Sequence, residues 1–458
     1  MRRGQVLAAL VIVVLVVAGA AFVQREVGPK ALAAEPSPGS APSGAWYCPH
    51  GGGESDWEVS LQIANPGPGP ATVRIRSIGA GKPQAPVTQT VEPGTVAVVP
   101  VEATGRERSS MVEWFGQWVA VGWLTHAGGQ EGGLAAEPCS PSAGSRWLLP
   151  DGDTSSKDED DYVVVMNPSD RDAVVSFTLL SERKQPVQKS ELTDVVLKPY
   201  HSTVVRLSDK ILGEETVSTI VDAAAGRVVA ATLGISTNGG IRTTLGYLGS
   251  PPSTVVFPGG EDAGRTELAV MSTGTTRARI TSDLLGAGDE QPFPGVADAA
   301  PPASSARTFT TTTAEPTSIV FTSADPGVAA IRRTFGSVSD QGSTIGGAPA
   351  AAWIVLPAVG GDPNHPGLAI ANAGDTDAQV ELTAIGSGED PVPMTIPARS
   401  SALAPRGFVT AHPDEAVLVL ASQGAVVPAA VSYSRGREGF ATYAVALGIP
   451  IPEGWVPS

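Results

Sequence analysis

The 22 residues from Trp57 to Ile78, WEVSLQIANPGPGPATVRIRSI, restrict the fold more than any other part of the chain. Trp57, Val59, Leu61 and Ile63 alternate with Glu58, Ser60 and Gln62, the period of a half-buried β-strand. Asn65-Pro66-Gly67 ends the run, because Pro lacks the ladder N–H and Gly tolerates turn dihedrals. Val73 and Ile75 then alternate with Arg74 and Arg76, so the stretch reads as a β-hairpin. The pattern returns three times. Tyr162–Met166 leads to Asn167-Pro168, with Val175, Phe177 and Leu179 on the return. Leu268, Val270 and Met271 lead to Ser272-Thr273-Gly274, and Leu368 and Ile370 lead to Asn372-Ala373-Gly374.

Two further landmarks keep the same order. Pro93, Pro199, Pro302 and Pro397 each precede a turn and another apolar strand, at spacings of 106, 103 and 95 residues. A Val/Ala strand follows each proline by 26 to 29 residues. Propeller blades and helical solenoids repeat at roughly 20–50 residues, so a unit this long is a domain, with room for about seven short strands. Gly and Pro supply 93 of 458 residues, as turn-rich β-sandwiches require. The expected fold is all-β: four tandem immunoglobulin-like β-sandwich repeats after an N-terminal transmembrane helix, bounded at 46–145, 146–252, 253–350 and 351–458. The third carries an Ala/Pro/Ser/Thr/Gly-rich insert, 286–317, expected to be a mobile loop with one short strand around Phe309. Drift explains such a loop, and a binding role is the alternative.

Leu7 to Val23 is a run of 17 uncharged residues, and Gly4 to Gln24 extends it to roughly the 20 that span a bilayer as a helix. Arg2 and Arg3 before it place the N-terminus in the cytoplasm. Residues 1–27 therefore read as a cytoplasmic tip and signal-anchor helix, and 28–45 as a Pro/Ser/Ala-rich stalk. The expected address is the cell membrane, single-pass, with the C-terminal domains extracytoplasmic. Ala31-Leu32-Ala33 offers the alternative of signal cleavage and secretion. Cys48 and Cys139 bracket the first repeat and read as one structural disulfide. A net charge of −16 opposes contact with a nucleic-acid backbone.

Motifs that carry chemistry are sparse. There is no GxSxG elbow, no HExxH and no phosphate-cradling glycine loop. Ser181-Glu182-Arg183-Lys184 follows a strand instead of opening a helix. No catalytic residue, cofactor or metal centre is therefore expected. Asp151, Asp153, Asp158, Glu159, Asp160 and Asp161 crowd one acidic stretch, a weak calcium candidate through Asp151, Asp153, Asp158 and Asp160 or a solvated surface, and their spacing does not fit an EF-hand. His50 and His126 fall in the same repeat and could approach one another. Five of the eight tryptophans lie in the first repeat. Trp57 reads as core. Trp114, Trp118 and Trp123 read either as core or interdomain packing or as a platform for a glycan or partner.

The pieces WYCPHG at Trp46, EPCSP at Glu137, and SRWLLPDGDT followed by VVVMNPSDRDAVV resemble an uncharacterised family of actinobacterial envelope proteins with a domain of unknown function. The resemblance covers most of the chain after the stalk. It implies a secreted or membrane-anchored β-rich protein, of a kind often encoded near envelope glycosyltransferases, and brings no assigned activity. The function expected is a non-catalytic, membrane-tethered extracytoplasmic scaffold or interaction protein of the bacterial cell envelope, built as an array of domains at a set distance from the membrane. The alternative is a glycan-binding accessory to envelope polysaccharide assembly. Partners expected are the membrane, through the N-terminal helix, and an envelope protein or polysaccharide.

Overall fold

The alternating Val, Ile and Leu positions form strands throughout, giving among the described residues eight antiparallel sheets and one short α-helix, Arg406–Ala411. The computed structural model describes residues 43–455, except 129–131, 237–239, 260–263, 288–289, 298, 314–316, 336–340, 358–366 and 436–440. The apolar run Leu7–Val23 and the stalk up to residue 42 lie outside the described residues. Among the described residues no helix is long and apolar enough to cross a membrane.

The first eight strands are β1 (Ser43–Cys48), β2 (Glu58–Asn65), β3 (Ala71–Ile78), β4 (Val87–Val91), β5 (Thr95–Val101), β6 (Ser109–Phe115), β7 (Ala120–Ala127) and β8 (Gly133–Pro138). They make two facing sheets, ordered β1-β6-β3-β4 and β5-β2-β7-β8. The same order recurs along the chain from Arg146, Thr254 and Ala352, twice with a two-residue strand added beside the β1 equivalent. This strand order is not the ABED/CFG arrangement of an immunoglobulin constant domain, although both have two facing antiparallel sheets. β1 starts at Ser43, three residues before Trp46.

The expected hairpin is an arch. β2 and β3 lie in opposite sheets, and Leu61 and Ile63 meet Val73 and Ile75 in the core between them. Alternation tells which face of a strand is buried but not which strand it pairs with, so both geometries fit it. The buried side chain of Asn65 holds the arch: its Nδ2 donates to the Gly69 and Val91 carbonyls at 2.9 Å, and its Oδ1 accepts the Gly67 N–H at 3.0 Å. Asn167 and Asn372 repeat this, tying the arch to the end of the β4-equivalent strand. Ser272 is shorter and keeps only the contact with the Gly274 N–H, at 3.4 Å. The proline landmarks mark a second fixed turn. Gly94, Tyr200, Ser304 and Arg399 all adopt φ between 47° and 65°, and each donates its N–H to a carbonyl of the arch.

The insert 286–317 has a strand where one was expected, around Phe309. It contains strands Glu290–Pro292 and Ser305–Thr313, and Phe293, Val296 and Ala300 between them are buried. Burial of these apolar side chains fixes a segment whose composition reads as a linker.

The four sheet pairs close on one another in a cycle, not in a linear array. β8 packs against Gly240–Leu245 of the second pair and Ala441–Leu447 of the fourth, and both of these pack against Gln341–Ile345 of the third. Residues 134–136, 242–243, 342–343 and 444–445 enclose an axial gap with no room for a water molecule. The outward side of the first sheet in the second, third and fourth pairs carries apolar residues that another pair covers. Leu148 and Ile220 join the core of the third pair, Val256 and Val320 that of the fourth, and Ile354 and Leu418 that of the first. The fourth pair reaches the first through Gln62 Nε2, which donates to the Pro357 carbonyl at 2.8 Å, and through Trp455, whose ring meets Trp114 edge-on at 5.9 Å. Edge strands are covered in the same way. Ser202 donates its N–H to the Gly79 carbonyl and Ser401 to that of Gly286, so these edges do not present a bare ladder.

Candidate functional site

Charged side chains rarely enter an interior unless paired, so the ones buried here identify the most specialised place in the molecule. Arg242, only 1% exposed, stands on the strand Gly240–Leu245. Its Nη2 donates to both oxygens of Asp161 at 2.6 and 2.7 Å. Its Nη1 reaches Glu159 at 3.1 Å and Gln341 Oε1 at 2.9 Å, and its Nε reaches Asp151 at 3.3 Å. Asp151 also accepts from Arg333 Nε at 2.7 Å, and Glu267 lies 3.5 Å from Arg333 Nη1. Arg333 and Glu267 belong to strands of the third sheet pair and Arg242 and Asp161 to strands of the second, so the cluster ties the two together. Glu137 brings in the first pair. Its buried carboxyl accepts the Leu245 N–H at 3.0 Å, and its Oε2 has no hydrogen-bond partner.

Carboxylates outnumber guanidiniums here, and their protonation differs accordingly. Burial pushes Asp151 up, but Arg242 and Arg333 outweigh it and hold the group at about 2. Burial also raises Asp161, and Arg242 offsets this only in part while the Asp151 charge adds to it, leaving the group at about 7. Burial drives Glu137 well above the usual carboxylate range; the Leu245 N–H opposes it weakly and Asp151 reinforces it. The folded protein therefore holds a proton on Glu137 that the unfolded chain releases above about pH 4.5. That contribution to stability is complete below the unfolded value and is lost as pH rises through the folded one. Glu137→Gln should flatten the fall in melting temperature between about pH 4.5 and 8 and melt higher than wild type at pH 8, the two converging in mild acid. Parallel melting curves across that range would refute a buried neutral acid. His50, buried and lowered to about 4 chiefly by burial, acts in the opposite sense, so the difference between variant and wild type is the quantity to read.

The residues singled out from sequence are placed as follows. Cys48 and Cys139 form a disulfide. Asp151 is taken by two arginines, Asp160 by Arg206, and Asp153 accepts from Ser155, so the acidic run does not gather into a cation site. Among the described residues no group of three or more His, Cys, Asp or Glu could hold a metal ion. Trp114, Trp118 and Trp123 do not form an open platform. They are 8%, 5% and 1% exposed, with Trp118 against Trp46 and Trp114 against Trp455. His50 bonds to Ser110 Oγ at 3.0 Å, whereas His126 is exposed. Arg242, Arg333 and Glu137 were not anticipated, and Asp161 only as one acid of the run that starts at Asp151. The one signal for them is a charge interrupting an apolar and hydroxyl-bearing strand, as in Ile241-Arg242-Thr243-Thr244.

Residues 112–352, more than half of the chain, match a family of unknown function, DUF5719. The chain belongs to that family. The matched span contains all six charged members of the cluster and Glu137. No curated protein matches. Among solved structures, Thermotoga maritima 1070 is 26% identical over 23% of this chain and 96% of its own, with a TM-score of 0.21. The Anabaena sensory rhodopsin transducer is 19% identical over 19% of this chain and 94% of its own, with a TM-score of 0.17.

Proposed function

We propose that this DUF5719 member is a non-catalytic, membrane-tethered scaffold or interaction protein of the bacterial cell envelope, made of four copies of one eight-stranded sandwich. The observation that carries this reading is the closed cycle of sheet pairs, with its axis filled and its buried charges spent on one another. In such a body the fixed elements are inside, and the loops and outer strands are the parts offered to partners. The Cys48–Cys139 disulfide and the apolar Leu7–Val23 run support an oxidising, extracytoplasmic setting. Actinobacterial origin and a place beside envelope glycosyltransferases remain part of this proposal, through the resemblance of the WYCPHG and EPCSP motifs. Burial of Trp114, Trp118 and Trp123 removes the surface that motivated a glycan-binding accessory.

Photo-crosslinking in intact cells, followed by capture of the full-length chain and measurement of its intact mass, tests the reading. The expected result is a membrane-fraction protein of uncleaved mass, crosslinked to a discrete envelope partner. A mature mass lacking residues 1–33, or recovery with cytoplasmic partners, would count against it.

A further inference from the structure

The outer edge of the first sheet is built differently in the four pairs. The strand equivalent to β4 is Val195–Leu197 in the second pair, Glu290–Pro292 in the third and Val392–Ile396 in the fourth. Each of these is a poor template for another strand. The second pair's is three residues long and follows Asp194, whose φ of 54° breaks the extended backbone. The third pair's is three residues long, ends on a proline and gives Glu290 to Arg399 of the fourth pair. The fourth pair's carries an exposed proline, Pro393. Short edges, prolines and charges are the devices by which sheets avoid pairing with another chain.

β4 has none of them. It reads Val87-Thr88-Gln89-Thr90-Val91, without proline, glycine or charge, and Val and Thr favour extended backbone. It stands last in the order β1-β6-β3-β4, and among the described residues no backbone group outside β3 bonds to it. The Asn65 side chain takes the Val91 carbonyl at its end. Val87 is 64% exposed, and Thr88 and Thr90 are exposed beside it. From Gly79 to Val91 the one charge is Lys82, on a chain of net charge −16, so two copies can meet here without bringing acids together. The strand also reads the same in both directions. In an antiparallel pair centred on Gln89, Val87 faces Val91, Thr88 faces Thr90 and Gln89 faces itself, the self-complementarity that a two-fold interface requires. Lys82 before the strand in one copy and Glu92 after it in the other then lie at the same end of the pair, opposite in sign.

We propose that β4 is a self-association edge, at which two copies of this chain pair β4 with β4, antiparallel, about a two-fold axis through Gln89. The two four-stranded sheets become one of eight strands. The contact closes on itself, because each copy uses the same edge and leaves it covered. An interface built on five residues a side is small, so the dimer is a reversible one. The proposal goes beyond the scaffold reading and does not depend on it, since self-association can be measured on the purified chain.

Sedimentation equilibrium of the full-length protein in density-matched detergent tests it, and a monomer–dimer equilibrium is expected. Thr88→Asp/Thr90→Asp sets like charges opposite one another on both sides of the axis and should weaken the dimer by at least about tenfold. Thr88→Lys/Thr90→Asp sets opposite charges there instead and should restore it, a recovery specific to the self-paired register. Oxidation of Gln89→Cys should give a disulfide-linked dimer, because residues paired on a two-fold lie within disulfide reach. Met394→Cys, at the matching position of the fourth pair's edge, should not cross-link. Matched melting curves would show that the variants are folded. A monomer at every concentration, a dimer equally strong in Thr88→Asp/Thr90→Asp (as association through Leu7–Val23 would give), or no recovery in Thr88→Lys/Thr90→Asp would overturn the assignment.

Discussion

Arg242→Met should lower the unfolding free energy by about 3–5 kcal/mol at neutral pH, the usual result of removing one member of a buried, hydrogen-bonded ion cluster. Arg242 makes bonds to Asp161, Asp151 and Glu159, and Met supplies none of them. Arg333 would remain for Asp151, but Asp161 would be left without its bidentate partner in a site excluded from water. The cost therefore comes from stranded acceptors more than from a lost attraction. Adding Asp161→Asn to Arg242→Met should restore part of the loss, and a double-mutant cycle from denaturant titrations reads the coupling directly. A single-variant loss under about 1 kcal/mol, typical of surface pairs, would show that the cluster contributes no more than an exposed salt bridge.

Loss of the disulfide should be comparably severe. Cys48 and Cys139 are 91 residues apart in sequence and both are buried, at 0% and 2% exposure. On the chain-entropy account, closing a loop of that length restricts the unfolded ensemble by about 4–5 kcal/mol. The bond joins the end of β1 to the residue after β8, so it holds together the first and last strands of the first sheet pair. Cys48→Ser/Cys139→Ser, or wild type with the bond verifiably reduced, should melt well below the oxidised protein. An unchanged melting curve after confirmed release of two thiols would mean that the surrounding packing alone fixes those strands.

The strands, the recurring landmarks and the cysteine pair were legible in the sequence because each is a local signal. Alternation at Val59, Leu61 and Ile63 reports a buried face, and Asn65-Pro66-Gly67 reports a turn. Pairing was not legible, since an arch and a hairpin place the same side chains inward; β2 and β3 show this. The cycle was hidden for a related reason. Leu148, Ile220, Val256 and Val320 read as ordinary strand residues, and nothing local says that a neighbouring sheet pair covers them. The acidic run at Asp151 was visible, but its role depends on Arg242 and Arg333, 91 and 182 residues away. The tryptophans of the first repeat were visible too, and their burial depends on partners as remote as Trp455. Contacts at such separations leave no periodicity.

Because Trp455 seats on Trp114 and Pro357 on Gln62, the first sheet pair gains part of its covering from the fourth, about 300 residues further along the chain. A chain still emerging, or one clipped before Ile449, would display a greasy flank where β7 and Trp114 await their lid, a surface suited to a chaperone or to self-association.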